Sequence, residues 1–234
     1  MKTAIILLGH VRTWEKTKES FISTFSNLNA DIFVSTYDRQ YGYHPYIRGV
    51  TNYHGDEVLS EPTIESLFSG LSSNVYVDVT EAEMMDKYIS QQQSIINPSM
   101  RGIQSSMAQF IKLKHAIDNL IEVENEKNIK YDYIIKTRCD ILYENDLNFS
   151  IDNNQVLVDS CNVFPNDCFI MADRNSFIEI SNFMVNEFYH FTNPTSNEKP
   201  PHTLLLNAFN NSSLNIVSKK IMKSVMRING EQFY

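Results

Sequence analysis

Two apolar runs, TAIILL at 3–8 and DIFVST at 31–36, flank a segment in which Trp14, Thr17, Phe21 and Phe25 recur at helical spacing. The runs read as buried strands and the segment as an amphipathic helix, with Thr13 positioned to cap it. No other feature constrains the fold as strongly. Strands joined through a helix pair in parallel, because a parallel pair needs a crossover of about a dozen residues or more, which no hairpin supplies. The expectation is an α/β chain with a largely parallel central sheet and helices on both faces. Its loops gather at the C-terminal ends of the strands, where open α/β sheets bind ligands. Gly9 and His10 after the first run, and Tyr37 and Asp38 after the second, fall at that edge.

The rest of the chain extends this unit. A short helix is expected near Pro62–Phe68, a third strand in VYVDV at 75–79, and another helix beginning at Glu81. After a break at 94–100, a long helix over about Gln104–Glu126 carries Met107, Phe110, Ile111, Leu113, Ile117, Leu120 and Ile121 at helical spacing. The strand in YDYIIKTRCDILY follows, then short strands near Gln155–Asp159 and Asp167–Ala172. Asp173 or Asn175 is placed to cap a helix that turns Phe177, Ile180, Phe183, Met184 and Phe188 inward, and a last helix runs from about His202 to Phe209. Between Tyr37 and Asp56 the pattern lapses. Tyr41, Tyr43, Tyr46 and Tyr53 interleave there with His44, His54 and Arg48, which describes a mobile, aromatic-rich loop at about 37–56. Its rings form either a platform or lid for a sugar or a small satellite core. The basic end, Lys219, Lys220, Lys223 and Arg227, is either a phosphate contact or a solvated helix face.

Composition and missing motifs remove several function classes. A net charge of -8 argues against broad attraction to nucleic acid, whose phosphates need a basic face. The apolar run after Lys2 is too short for a signal peptide, and no stretch has the length of a membrane span. Three cysteines, Cys139, Cys161 and Cys168, lack CxxC spacing, so neither a disulfide framework nor a zinc knuckle is readable, and a reducing, cytoplasmic setting fits. The glycines at 9, 42, 49, 55, 70, 102 and 230 form neither GxGxxG nor GxxxxGK[ST]. Dinucleotide oxidoreductases and P-loop enzymes are therefore poor candidates.

What remains is Thr137-Arg138-Cys139-Asp140 at a strand end. In an extended strand, Arg138 and Asp140 point to one side, since side-chain direction repeats every second residue. An aspartate there can hold a hard divalent cation, and an arginine can pair with phosphate through two parallel hydrogen bonds. Equally, the two residues can form a surface salt bridge that closes a turn.

The blocks AIILLGHVRTWEKTKESF, ADIFVSTYD, YDYIIKTRCDILY and NDCFIMADRNSF span residues 4–177. In that order the chain resembles small nucleotide-sugar-dependent glycosyltransferases of the glycosyltransferase-A fold, of the surface-polysaccharide type. The resemblance implies a single Rossmann-like domain over 1–234, moving a sugar from a nucleotide-diphosphate donor to a carbohydrate hydroxyl in glycan or polysaccharide synthesis. It also implies a divalent cation (Mn or Mg) at a DxD-type motif. Here Arg138 and Asp140 match that motif, so its first carboxylate is missing and Asp140 alone stands as metal ligand. Gly9, His10, Arg12, Asp38, Arg138 and Asp140 are the expected donor-binding residues. Asp167 is the expected catalytic base, with Tyr41, Tyr43 and His202 on the acceptor side. A catalytically silent carbohydrate- or nucleotide-binding module is the alternative. A metal-dependent phosphoesterase has thinner support, in a single strand-end carboxylate. The expected partners are thus a nucleotide sugar and a carbohydrate acceptor, with no nucleic acid and no integral membrane segment.

Overall fold

The computed structural model describes residues 1–38, 58–71, 74–81, 103–144, 149–152, 154–160, 166–190, 200–226 and 232–233. The side chains of Arg12 and of residues 103–108, 166–167, 187–190, 200–204 and 232–233 are outside that description. The strands are β1 (Thr3–Leu8), β2 (Asp31–Tyr37), β3 (Val75–Thr80), β4 (Tyr133–Arg138), β5 (Ile141–Tyr143), β6 (Gln155–Asp159), β7 (Asn166–Asp173), β8 (Asn215–Lys219), β9 (Met222–Met226) and β10 (Gln232–Phe233). The helices are α1 (Trp14–Phe25), α2 (Glu61–Leu67), α3 (Ile103–Lys127), α4 (Arg174–His190) and α5 (Pro200–Asn210).

Seven strands form one sheet in the order β3-β2-β1-β4-β7-β6-β8, and β10-β9-β5 form a small second sheet. β3, β2, β1 and β4 are parallel neighbours, as are β6 and β8, whereas β7 runs antiparallel to both β4 and β6. The mixed α/β class with a mostly parallel sheet is the expected one, and the reversal of β7 has a simple cause. Only residues 160–165 separate β6 from β7, too few for a parallel crossover. The reversal brings the start of β7 to the edge where β1, β2 and β4 end.

Alternation along the strands divides the core. Ala4, Ile6 and Leu8 of β1 pack with Phe110, Leu113, Ile117 and Leu120 of α3 and with Phe177, Ile180 and Met184 of α4. Ile5 and Leu7 face the other way, toward Trp14, Phe21 and Phe25 of α1, Ile64 of α2 and Phe68 at the end of α2. Helices thus cover both sheet faces, and the predicted stripe of α1 is the buried one. At the opposite end of the sheet from the strand ends, Glu124 of α3 is buried. It accepts from Arg174 through Nε and Nη2, both at 2.7 Å, from Lys130 Nζ at 3.1 Å and from the Tyr131 amide at 3.1 Å. Burial pushes this carboxyl up, but those donors outweigh it and hold the group below the usual range.

Three expectations are corrected. Thr13 occupies the position before α1 but makes no side-chain cap, because a 3₁₀ turn over Val11–Thr13 feeds the helix directly. The strand of the TRCD block does not run on to Asp140: it ends at Arg138, turns, and restarts as β5. Within the described part of the basic end, Lys219 closes β8, Lys220 lies between strands and Lys223 is in β9, so a helix face is not what these lysines share. Arg227, the loop at 39–57 with Tyr41, Tyr43, Tyr46, Tyr53, His44, His54 and Arg48, and the helix expected from Glu81 fall almost wholly outside the described residues. Among the described residues, no helix is long and apolar enough to cross a membrane.

Candidate functional site at the strand ends

Register fixes which residues meet at the C-terminal edge. Leu8 of β1 stands beside Ser35 of β2 and Arg138 of β4, and Tyr37 stands beside Thr80 of β3. Gly9, His10, Asp38, Cys139 and Asp140 therefore follow at one end of four adjacent strands. Gly9 adopts φ 100°, a conformation other residues take only with strain, and its amide donates to the Ser35 carbonyl at 3.2 Å. That kink turns the chain away from the sheet and lays the His10 ring against Tyr37, with centroids 4.8 Å apart. Asp38 extends the pairing by one residue, its amide donating to the Thr80 carbonyl at 3.1 Å.

Arg138 and Asp140 form the most directed contact of this edge. Arg138 Nε donates to Asp140 Oδ1 at 2.8 Å and Nη2 donates to Oδ2 at 2.6 Å, while Nη1 lies 4.0 Å from Cys168 Sγ. The Asp140 side chain is 6% exposed and that of Arg138 is 30% exposed. The turn between them is held from both sides. Thr17 of α1 donates to the Cys139 carbonyl at 2.5 Å, the Met226 amide of β9 donates to the Asp140 carbonyl at 2.7 Å, and Thr137 Oγ1 lies 2.8 Å from the Tyr143 hydroxyl. Burial, with the Asp140 charge adding to it, pushes the Cys139 thiol far up, so this cysteine is no ready nucleophile.

This geometry decides how Asp140 suits a divalent cation. Each of its oxygens already accepts from the guanidinium of Arg138, and the carboxylate is buried under that guanidinium. A hard cation needs exposed oxygen ligands and is repelled by an adjacent fixed positive charge. As built, the residue pair does not fit a cation at Asp140. Among the described residues, no group of three or more His, Cys, Asp or Glu side chains converges as a metal-ligand set.

Sequence reasoning missed a second charged cluster. Lys112 of α3 is 1% exposed and donates to Asp78 Oδ2 at 3.0 Å and to Thr80 Oγ1 at 2.6 Å. Asp78 also accepts from Ser35 Oγ at 2.7 Å and has His115 Nδ1 at 3.9 Å. The ammonium lies 5.3 Å from the centroid of the Tyr37 ring, the same ring that contacts His10. Burial pulls the Lys112 pKa down against the pull of Asp78. Asp78 is pushed up by burial but held below the usual carboxylate range by Lys112 and Ser35. The signal was present in VYVDVT: Asp78 alternates with Tyr76 and Thr80 on the strand face that α3 covers, where a half-buried carboxylate is stabilised by a cation from the helix.

Of the other expected site residues, Asp167 is the second residue of β7, at the edge where β4 ends with Arg138. Arg12 lies in the 3₁₀ turn and His202 in the first turn of α5; the side chains of all three fall outside the description. Asp173 takes the capping role expected of it, away from this edge. It pairs in register with Tyr133 at the opposite edge and caps α4, accepting from the Asn175 and Ser176 amides at 3.0 and 3.1 Å. A cleft of about 230 Å³, lined among the described residues by Glu65, Phe68, Ser69, Leu71, Val75 and Val77, is also away from the strand ends.

No family model matches the chain, and no curated protein does. Among solved structures it is similar to the galactosyltransferase LgtC in complex with donor and acceptor sugar analogs. The identity is 10% over 89% of this chain and 70% of that one, with a TM-score of 0.44. An active-site mutant of LgtC gives 9% identity over 93% and 72%, with a TM-score of 0.46. The apo-form glycosyltransferase GlyE of Streptococcus pneumoniae TIGR4 gives 8% over 92% of this chain and 44% of that one, with a TM-score of 0.45. Likeness of this size transfers no residue and no reaction.

Proposed function

We propose that the protein is a nucleotide-sugar-dependent glycosyltransferase of the glycosyltransferase-A type, transferring a sugar from a nucleotide-diphosphate donor to a carbohydrate hydroxyl in glycan or polysaccharide synthesis. The observation that carries this is the gathering of the Gly9–His10 turn, Asp38, Arg138 and the start of β7 at one edge of a mostly parallel sheet. Gly9 lets a nucleotide approach the backbone, with His10, Arg12 and Asp38 as its neighbours. In the transfer, the bond from the anomeric carbon to the diphosphate oxygen breaks and the electron pair leaves with the diphosphate. Arg138 stabilises that developing charge. The acceptor oxygen bonds to the anomeric carbon, and its proton passes to the carboxylate of Asp167. Tyr41, Tyr43 and His202 are assigned to the acceptor side on sequence grounds. The cysteine usage is in keeping with a cytoplasmic setting.

The closed Arg138–Asp140 pair favours one second reading, a nucleotide- or carbohydrate-binding module without turnover. A thermal-shift screen of nucleotide sugars, followed by donor turnover with a panel of acceptors, separates the two, since a ligand that binds only the folded state raises its apparent stability. Stabilisation by one nucleotide family with turnover supports the transferase. Stabilisation without turnover across the panel supports the module, and no stabilisation by any nucleotide sugar refutes the transferase and a nucleotide-binding module alike.

A further inference from the structure

The misfit between Asp140 and a cation leads to a specific division of labour, which rests on the nucleotide-sugar reading above. We propose that Arg138, held in place by Asp140, supplies the fixed positive charge for the donor diphosphate, that Asp140 is a positioning residue and not a metal ligand, and that diphosphate binding at this edge needs no divalent cation.

Three observations support it. First, the contact is a two-point fork, Nε to Oδ1 and Nη2 to Oδ2, which fixes the plane of the guanidinium as well as its position. Second, the brace is rigid: the Cys139 and Asp140 carbonyls are tied to α1 and β9, so the carboxylate holding the fork belongs to a turn anchored on two other elements. Third, exposure is unequal. Asp140 is shielded while Arg138 keeps a 30% exposed side chain at the strand end. Bracing by Asp140 runs through Nε and Nη2 and leaves the guanidinium permanently charged, which is what a diphosphate requires of it. The alternation expected of an extended strand would have aimed both residues at a shared ligand. The turn after Arg138 instead aims Asp140 at Arg138.

Calorimetric titration of UDP, GDP, ADP and dTDP, each with its parent nucleoside, tests this on wild type, Arg138→Lys and Asp140→Asn, in EDTA and in MnCl₂. Wild type is expected to bind one diphosphate with the same affinity in EDTA and in manganese. Arg138→Lys, which keeps a charge able to pair with Asp140 but loses the planar fork, is expected to weaken the diphosphate by about tenfold or more and leave the nucleoside unchanged. Asp140→Asn is expected to weaken it in EDTA and manganese alike, with the nucleoside again unchanged. Diphosphate binding that appears only with manganese and is lost in Asp140→Asn would make Asp140 a metal ligand and overturn the proposal. Unchanged diphosphate affinity in both folded variants would reduce the pair to a structural ion pair and overturn it as well. Absence of diphosphate binding by wild type in either buffer would sink the nucleotide-sugar reading, and the proposal with it. The wild-type comparison of EDTA with manganese stands even if a variant fails to fold.

Discussion

Replacing Lys112 with methionine removes a buried ammonium while keeping a flexible side chain of similar reach. Asp78 then loses its closest cation, Thr80 Oγ1 loses a donor at 2.6 Å, and the Tyr37 ring loses the charge behind it. Breaking a fully buried pair from one side costs about 3–5 kcal/mol. Asp78 is 29% exposed and keeps the Ser35 hydroxyl at 2.7 Å, which lowers the expectation to about 2–3 kcal/mol. For a chain of this length, that is a fall of roughly 5–10 °C in Tm. The double variant Lys112→Met, Asp78→Val leaves neither charge buried and should recover most of the loss, because apolar replacement of a buried pair is often neutral or better. The assay is urea unfolding of wild type, both single variants and the double variant, read as a thermodynamic cycle. A single-variant loss below about 1 kcal/mol, or a double variant as weak as the sum of the singles, would refute the claim that this pair joins α3 to the ends of β2 and β3.

Other perturbations probe the same framework. Gly9→Ala should cost about 1–2 kcal/mol in urea unfolding, from its φ of 100°, since no neighbour among the described residues lies within 4 Å of the added carbon. Thr17→Val should cost about 1–3 kcal/mol in the same assay, because it leaves the Cys139 carbonyl without its 2.5 Å donor. Glu124 has a folded-state pKa below its unfolded value. Its contribution is therefore present above the unfolded pKa and lost as pH falls through the folded one. Glu124→Gln should flatten the stability profile as pH falls below the ordinary glutamate range, as read from urea midpoints, and an unchanged slope would exclude Glu124 from acid unfolding. For Asp167→Asn, a loss in kcat with donor affinity retained is expected from steady-state kinetics, as for a group needed in the transition state.

The sheet centre was legible because its information is local. The run at 3–8, the stripe Trp14, Thr17, Phe21 and Phe25, and the run at 31–36 each announce which face they bury, and the helix between the runs dictates parallel pairing. The strand ends were less legible because their contacts are not local. Periodicity aims Arg138 and Asp140 at one side and left open whether they share a ligand or close a turn as a salt bridge; the turn held by α1 and β9 gives the salt bridge, with its carboxylate buried. Lys112 carries no distinguishing mark within α3, where it adjoins the apolar stripe. Its burial depends on Asp78, a residue from another element. The direction of β7 was available in the shortness of 160–165, and β9 in the alternation of Met222, Ser224 and Met226 against Lys223. Both signals lie in spacing, which an inventory of charges overlooks.

The central claim is that one edge of the sheet receives a nucleotide sugar, and hydrogen–deuterium exchange tests it most directly. The protein is compared alone and with the nucleotide sugar that stabilises it in the thermal screen. The account predicts slowed exchange in peptides covering Leu8–Thr13, Ser35–Asp38, Thr137–Asp140 and Asn166–Cys168, with no change at the opposite edge around Tyr131–Tyr133 and Asp173. Protection confined to that opposite edge or to the cleft beside α2, with the four strand-end segments unchanged, would contradict it.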